Sequence, residues 1–252
     1  MKLSDIEVAH LSDVGRKRKH NEDCYGFFRI GEDEVLAIVA DGVGGHASGE
    51  VASKMAVDII QEIYTKERMD QDVLEALKSA FELANFSILQ KSLEQDELNG
   101  MGTTATALVI NEDRTFVGHM GDSRAYLFRD AAATQLTKDH SMVNRMVEQG
   151  LITEEEAIHH PQRNVIYKVL GVDRDADLQL VGPLSIQRDD VFLLCSDGLT
   201  NLVTDEEMIK ITKKEKPQKA CEKLIQLANK RGGDDNITVQ ILRVLKNGSL
   251  GG

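Results

Sequence analysis

An antiparallel α+β layered domain is the fold this sequence predicts, and three observations predict it. Short strand-like runs come in clusters, with long helical periodicities interpolated between them. Single β–α–β crossovers are few, which separates the pattern from a doubly wound parallel sheet. Residues 35–40 and 191–195 are apolar at every position, as strands buried on both faces are.

Taken in order, residues 7–10 and 25–30 read as short strands around a charged turn, and residues 35–40 as the first fully buried strand. Ala52, Ala56, Ile59, Ile60 and Ile63 recur at helical spacing and predict a helix over 48–63. Val73, Leu77, Ala80, Ala84 and Ile88 predict a second, running to about residue 93. After Gly100-Met101-Gly102 comes a strand meander at 103–110, 115–119 and 125–128. Residues 130–133 read as a loose loop, because no Gly or Asn stands where a tight hairpin wants one. Short helices at 141–149 and 153–157 and a further short helical or irregular segment at 165–170 make a polar insertion, a cap over 139–170. Strands return at 178–181 and 190–195, an amphipathic helix follows at 219–230, and Ile237, Val239 and Ile241 alternate as a last strand. Residues 247–252 read as a frayed tail.

Composition narrows the function classes. The chain has 252 residues and 41% hydrophobic content, enough for one large core or two small ones. Its formal charge is 30 − 42 = −12, which repels phosphate backbones and argues against nucleic-acid binding. The one basic patch is Arg16-Lys17-Arg18-Lys19-His20, and the absence of Trp argues against a stacking platform for bases. No apolar run approaches a membrane span, and the first residues lead into no signal-like apolar region. Cys24, Cys195 and Cys221 form no CxxC pair and read as free thiols of a reducing cytosol.

The chemistry gathers around Asp41, an ionisable group directly after the first buried run and ahead of Gly42, Gly44, Gly45 and Gly49. A phosphate loop fails, since Glu50 and Val51 occupy the places of Lys and Ser/Thr. A dinucleotide fingerprint fits Gly42-Val43-Gly44-Gly45-His46-Ala47 but wants a second strand ending in an acid roughly 20 residues on, where a helix runs instead. The remaining reading makes Asp41 a metal ligand, which requires more acids. Asp197-Gly198 repeats the pattern after 191–195; Asp234-Asp235 precedes the last strand; Asp122 sits in a turn; Glu22-Asp23 follow the basic patch. An Asp-Gly after a strand is ordinarily only a turn. Carboxylates that meet in space repel, and all-oxygen sites of this kind suit Mg²⁺ or Mn²⁺ rather than zinc.

Arg18-Lys19-His20-Asn21-Glu22-Asp23, Asp41-Gly42-Val43-Gly44-Gly45-His46, Gly102-Thr103-Thr104, Gly121-Asp122-Ser123-Arg124, Ser196-Asp197-Gly198 and Asp235-Asn236-Ile237-Thr238-Val239 occur in a fixed order. In that order the chain resembles the metal-dependent Ser/Thr protein phosphatases of type 2C over nearly its whole length. Leu136-Thr137-Lys138-Asp139-His140-Ser141, with His160-Pro161 and Leu170-Gly171, is similar to the bacterial branch and its flap.

The resemblance implies two antiparallel β-sheets packed as a central sandwich, flanked by antiparallel helix pairs in four layers, α-β-β-α, with a small flap insertion. It implies a single catalytic domain over residues 1–245, a flap at about 139–170, and a flexible tail at 246–252. Asp41 would bridge two Mn²⁺ or Mg²⁺ ions, with Gly42 giving a backbone carbonyl to the second; Asp197 and Asp235 would complete the first ion's shell. Glu22 and Asp23 would act on bound waters, Asp122 with Asp197 would form a third metal site, and Arg18 would clamp the substrate phosphate. Two ions about 3.5–4 Å apart can acidify a shared water and present hydroxide in line with phosphorus. A guanidinium is the natural bidentate partner of the phosphate.

No thiol nucleophile is implied: Ile30, Asn201 and Leu227 stand where a C-x₅-R motif would put its arginine. Val43 stands where eukaryotic relatives carry a His proposed to protonate the leaving oxygen, and His46 is nearby. His119, His140, His159 and His160 read as structural or flap residues, and Arg16, Lys17 and Lys19 as a solvated basic rim. The implied protein is a cytoplasmic, monomeric phosphatase acting on phosphorylated proteins against a cognate Ser/Thr kinase, with no nucleic-acid or membrane partner. A non-catalytic phosphoprotein-binding module is the competing class; it predicts a lost ligand, and every motif position is present.

Overall fold

The computed structural model describes residues 5–44 and 47–245; His46 and the tail lie outside them. The elements are β1 (Ile6–Asp13), β2 (Asp23–Ile30), β3 (Glu34–Val43), α1 (Ala47–Glu67), α2 (Val73–Glu94), β4 (Gly102–Thr103), β5 (Ala105–Asn111), β6 (Arg114–Met120), β7 (Arg124–Arg129) and β8 (Ala132–Gln135). They continue as α3 (Met142–Glu148), α4 (Glu154–Ile158), β9 (Gln179–Ser185), β10 (Val191–Cys195), α5 (Asp197–Thr200), α6 (Asp205–Lys214), α7 (Pro217–Lys230) and β11 (Ile237–Val244). One sheet runs β1-β11-β10-β7-β8 and the other β2-β3-β5-β6-β9, with β4 pairing onto β3. Every strand pairing is antiparallel.

Side-chain alternation along the buried strands explains the layers. Leu36, Ile38 and Ala40 of β3 pack with α1 and α2, whereas Val35, Ala37 and Val39 pack between the sheets. In the other sheet Val191, Leu193 and Cys195 face α7, while Phe192 and Leu194 face inward. A strand clad on both sides must be apolar at both parities, as both runs are. Gln240 is a polar residue in the inner layer: its amide donates to the carbonyls of Gly26 (3.0 Å) and Ile38 (3.2 Å), joining the sheets. On the far side of β3, Glu34 accepts from Tyr64 Oη (2.7 Å) and Arg68 Nε (3.0 Å), fastening the strand to the end of α1.

Several expectations need correction. The first buried strand does not stop at residue 40; it continues to Val43, so Asp41-Gly42 is strand rather than loop. The meander strand expected over 103–110 is broken at Thr104 into β4 and β5. Residues 130–133 are a tight hairpin: Arg129 pairs with Ala132, and Asp130 takes φ 53°, a left-handed conformation that Asp tolerates better than most residues. The stretch 165–170 takes the irregular of its two expected forms and not the helical one, held by single bridges from Ile166 to Ser141 and from Leu170 to Thr103. Helix α6 escaped the periodicity reading because its only buried residues are Met208 and Thr212. Its signal lay in the Thr204–Glu207 capping pattern, where the Glu207 carboxylate accepts from Thr204 N at 3.1 Å.

Helix α2 begins at Asp72, whose carboxylate accepts from the amides of Leu74 (2.9 Å) and Glu75 (3.0 Å). Asp72→Ala should therefore cost about 1 kcal/mol. A urea titration should show a lower midpoint at unchanged slope, with activity in the folded range intact.

Candidate active site

The acids gather at one rim of the sandwich because antiparallel pairing brings the end of one strand to the start of the next. Asp23, at the start of β2, stands directly opposite Asp41, near the end of β3. Asp41 shares the parity of Val35, Ala37 and Val39, so it extends the inner face of that sheet. Its backbone is clamped on both sides: its N–H donates to Thr104 Oγ1 (2.9 Å), and its carbonyl accepts from Thr103 Oγ1 (2.9 Å) and Thr104 N (2.9 Å). The break between β4 and β5 thus serves Asp41.

The opposite sheet supplies Asp197 and Asp235 from the end of β10 and the approach to β11. Asp197 is the first residue of α5 rather than part of a turn, and its Oδ2 accepts from Asn201 Nδ2 at 3.0 Å. Both Asp-Gly glycines are explained by close backbone approach. A Cβ on Gly42 would stand 2.2 Å from the Gly49 carbonyl oxygen, and one on Gly198 would stand 2.0 Å from that of Asn236. Only glycine lets α1 pack against the end of β3, and α5 against the approach to β11.

Asp122 lies in the Gly121–Ser123 turn between β6 and β7. Under that turn His140 Nδ1 accepts from Gly121 N at 3.0 Å, and His119 reaches Thr106 Oγ1 (2.9 Å) and the Lys138 carbonyl (3.1 Å). Burial, then the neighbouring His140, pulls His119 down to about 3, so it is neutral and structural. Arg124 grips Asp139 through Nε (2.9 Å) and Nη2 (2.6 Å), tying the turn to the start of the flap.

Arg18 lies on the loop between β1 and β2, half-exposed, with Nη2 2.7 Å from Asp235 Oδ2. Asn236 holds this loop in place: its amide donates to the carbonyls of Val14 (2.9 Å) and His20 (3.0 Å), and its Oδ1 accepts from Glu22 N (2.8 Å). The Glu22 carbonyl in turn accepts from Gly42 N (3.1 Å), linking the loop to β3. Glu22 itself is buried. Asn236, Ser196, Ser12, Arg124 and Asp139 were not assigned roles by sequence reasoning. The available signal was a hydrogen-bonding residue beside nearly every acid.

The electrostatics follow from gathering like charges away from water. Desolvation, opposed by two hydroxyl donors and reinforced by Asp197 and Asp235, pushes Asp23 up to about 7. Desolvation and then Asp235 push Asp197 up to about 6, and Asp41 lies within hydrogen-bonding reach of it. Asp41 rises well above the carboxylate range through desolvation and then Asp23 and Asp197; Asp122 does so through desolvation and then Asp197. Asp23 Oδ1, Asp122 Oδ1 and Asp197 Oδ1 are buried with no protein hydrogen-bond partner. Three desolvated, unpartnered carboxylate oxygens at one rim fit a hard divalent cation, and no softer donor is among them. Among the described residues no three His, Cys, Asp or Glu side chains already close around one point as a ligand shell.

The structure therefore brings together Asp23, Asp41, Asp122, Asp197 and Asp235, with Glu22 and Gly42 beside them and Arg18 at the mouth. His159 caps the short helix α4, and His160 Nδ1 accepts from Gln162 N at 3.1 Å, a local turn contact. Cys195 and Cys221 are buried thiols raised by desolvation, Cys221 to about 12, and Cys24 is raised for the same reason. A groove of about 310 Å³ between α7 and the β1–β2 loop is lined by Arg16, Ile225 and Lys230 among others and contains none of the gathered acids.

Comparison with known proteins bears directly on this site. A family model described as Protein phosphatase 2C matches residues 15–238. The "Serine/threonine phosphatase stp" of Listeria monocytogenes is 37% identical over 235 residues, which is 92% of this chain and 93% of that one. The crystal structure of the serine/threonine phosphatase Stp1 from Staphylococcus aureus superposes with a TM-score of 0.88 at 36% identity, covering 96% of each chain. The catalytic domain of the serine threonine protein phosphatase PstP, solved in complex with 2 manganese ions, superposes with a TM-score of 0.82 at 35% identity over 96% of this chain and 99% of that one.

The raised carboxylates make a signed prediction for chelator-treated protein. An unfolded aspartate ionises near pH 4, whereas folded Asp23 does so at about 7, so the folded state binds more protons between these values. Stability contributed by the protonated cluster is then lost as pH rises through that window. Relative to Asp41→Asn, which removes one repelling charge, the chelated wild type should lose melting temperature from about pH 5 to about pH 8, and saturating Mn²⁺ should close the gap. Parallel melting curves across that range would show that the carboxylates do not share a field.

Proposed function

The chain belongs to the metal-dependent protein phosphatase 2C family and is a protein serine/threonine phosphatase; from that footing we propose that its gathered carboxylates hold the metal and that Arg18 seats the substrate phosphate. Asp41, Asp197, Asp235 and the Gly42 carbonyl would hold divalent cations, Mn²⁺ or Mg²⁺, as the hard oxygen donors such ions take. Glu22 and Asp23 would act through water, and Asp122 with Asp197 would hold a third cation. The observation that carries this reading is the set of three buried, unpartnered carboxylate oxygens beside a half-exposed guanidinium.

Cations bound there offset the carboxylates' repulsion, neutralise charge on the phosphoryl oxygens and acidify water. The chain's own groups do the rest. Arg18 leaves Asp235 to fork two phosphate oxygens, orienting the ester for in-line displacement. Asp23 Oδ1 accepts a hydrogen bond from the attacking water and aims it. Val43, 38% exposed, has no proton to give a leaving oxygen. Burial raises the thiols of Cys24, Cys195 and Cys221 above their ordinary range and keeps them protonated, in keeping with direct displacement and no covalent enzyme intermediate.

Phosphorylated proteins are the substrates, opposed by a cognate Ser/Thr kinase, and the flap over 139–170 bears on their choice. The enzyme works as a monomer in the cytoplasm, its catalytic domain spanning 1–245. No described helix is long and apolar enough to cross a membrane.

Release of phosphate from a phosphothreonine peptide tests the assignment. Turnover should require Mn²⁺ or Mg²⁺ and vanish with chelator. Asp41→Ala and Asp197→Ala should each lose on the order of 10²-fold or more in kcat, the scale set by a single electrostatic contact to developing charge. Arg18→Lys keeps the charge but loses the fork, and should raise KM more than it lowers kcat. Undiminished turnover by Asp41→Ala would refute the assigned centre.

A further inference from the structure

Asp23 has one oxygen that is fully engaged and one that is not. Its Oδ2 accepts from Ser196 Oγ at 2.7 Å and from Thr238 Oγ1 at 2.7 Å, while Oδ1 is buried without a partner. The two hydroxyls reach it from the other sheet: Ser196 directly follows β10, and Thr238 lies in β11.

Counting protons orders the contacts around them. A hydroxyl has one proton to give. Thr238 gives its proton to Asp23, so the 2.7 Å contact between Ser12 Oγ and Thr238 Oγ1 must run from Ser12 to Thr238. Ser12 accepts in turn from Asn21 Nδ2 at 2.8 Å. Asn21 Oδ1 accepts from the Asp23 amide at 3.2 Å, closing a ring that starts and ends on Asp23. Ser196 is held likewise, its oxygen accepting from Thr238 N at 2.9 Å, which leaves its proton for the carboxylate. Each donor is thus committed, and the carboxylate cannot rotate without breaking two short bonds.

We infer that Ser196 and Thr238, directed by Ser12 and Asn21, are positioning residues that lock Asp23 so that only Oδ1 faces Asp41, Asp197 and Asp235. Asp23 then serves the cation site and its water through a single oxygen in a fixed direction. None of the four touches substrate. Asn21 follows Arg18 closely on the same loop, so the ring also couples the placement of the phosphate-seating loop to that of Asp23. This inference rests on the carboxylates being the cation site.

Thr238→Val keeps the branched shape and deletes the proton; Thr238→Ser keeps the proton; Ser12→Ala removes only the group that directs it. Each variant and the wild type are stripped with chelator, checked for cooperative thermal unfolding, titrated calorimetrically with Mn²⁺, and assayed for kcat and KM on a phosphothreonine peptide. Thr238→Val should weaken Mn²⁺ binding or lower kcat by about 10- to 100-fold, the usual effect of removing a hydrogen bond behind a metal-site ligand, with KM unchanged. Thr238→Ser should restore both, and Ser12→Ala should lose part of the same quantities. A folded Thr238→Val with wild-type Mn²⁺ affinity and kcat overturns the inference, as does an equal loss in Thr238→Val and Thr238→Ser. Should Thr238→Val not fold, Ser12→Ala decides, and unchanged binding and kcat in it overturn the inference. Wild type that neither binds Mn²⁺ nor turns over would overturn the phosphatase reading beneath it, an outcome distinct from failure of the variants alone.

Discussion

Asp23 and Asp41 face each other across an antiparallel ladder, two like charges in a register that ordinary sheets avoid. Everything at the rim answers that pairing. The strand that carries Asp41 is apolar and buried over 35–40 and resists shifting: a one-residue slip would move Val35, Ala37 and Val39 out of the inner layer and the acid with them. The apolar alternation that makes the sandwich therefore also holds the repulsion in place.

Proteins tolerate such an arrangement where its cost is small beside the core that enforces it, and where a ligand relieves it. The core is large on three levels, with apolar clusters under each helix layer and between the sheets. The backbones of the acids are secured separately from their side chains. Thr103 and Thr104 hold the Asp41 peptide groups, and Asn236 holds the Glu22 backbone. That separation lets the site stay desolvated and preorganised at once.

Arg18 balances the cluster from outside. Sitting on Asp235 at the mouth, it brings positive charge toward a negative cleft without being buried in it. On a chain of net charge −12, local basic residues at this entrance decide which anions approach. The neighbouring Arg16, Lys17 and Lys19 are exposed on the same loop.

Much of this was legible in the primary structure, because both signals involved are local. Unbroken apolar runs mark strands covered on two sides, and an acid directly after such a run is conspicuous against it; the ordered motifs then named the family and the acids together. The sequence by itself determined the two long helices α1 and α2 and the fully apolar runs that precede Asp41 and Asp197. Only the tertiary structure decided that β3 continues through Asp41-Gly42, that 130–133 closes tightly, and that Asn236, Ser196, Thr238 and Ser12 act on the acids from the opposite sheet. Those contacts join residues far apart in the chain, Asp23 with Ser196 across 173 positions and with Thr238 across 215, both at 2.7 Å. A hydroxyl or amide looks the same in sequence whether it faces solvent or a buried carboxylate, and only the packing of one sheet on the other distinguishes the two.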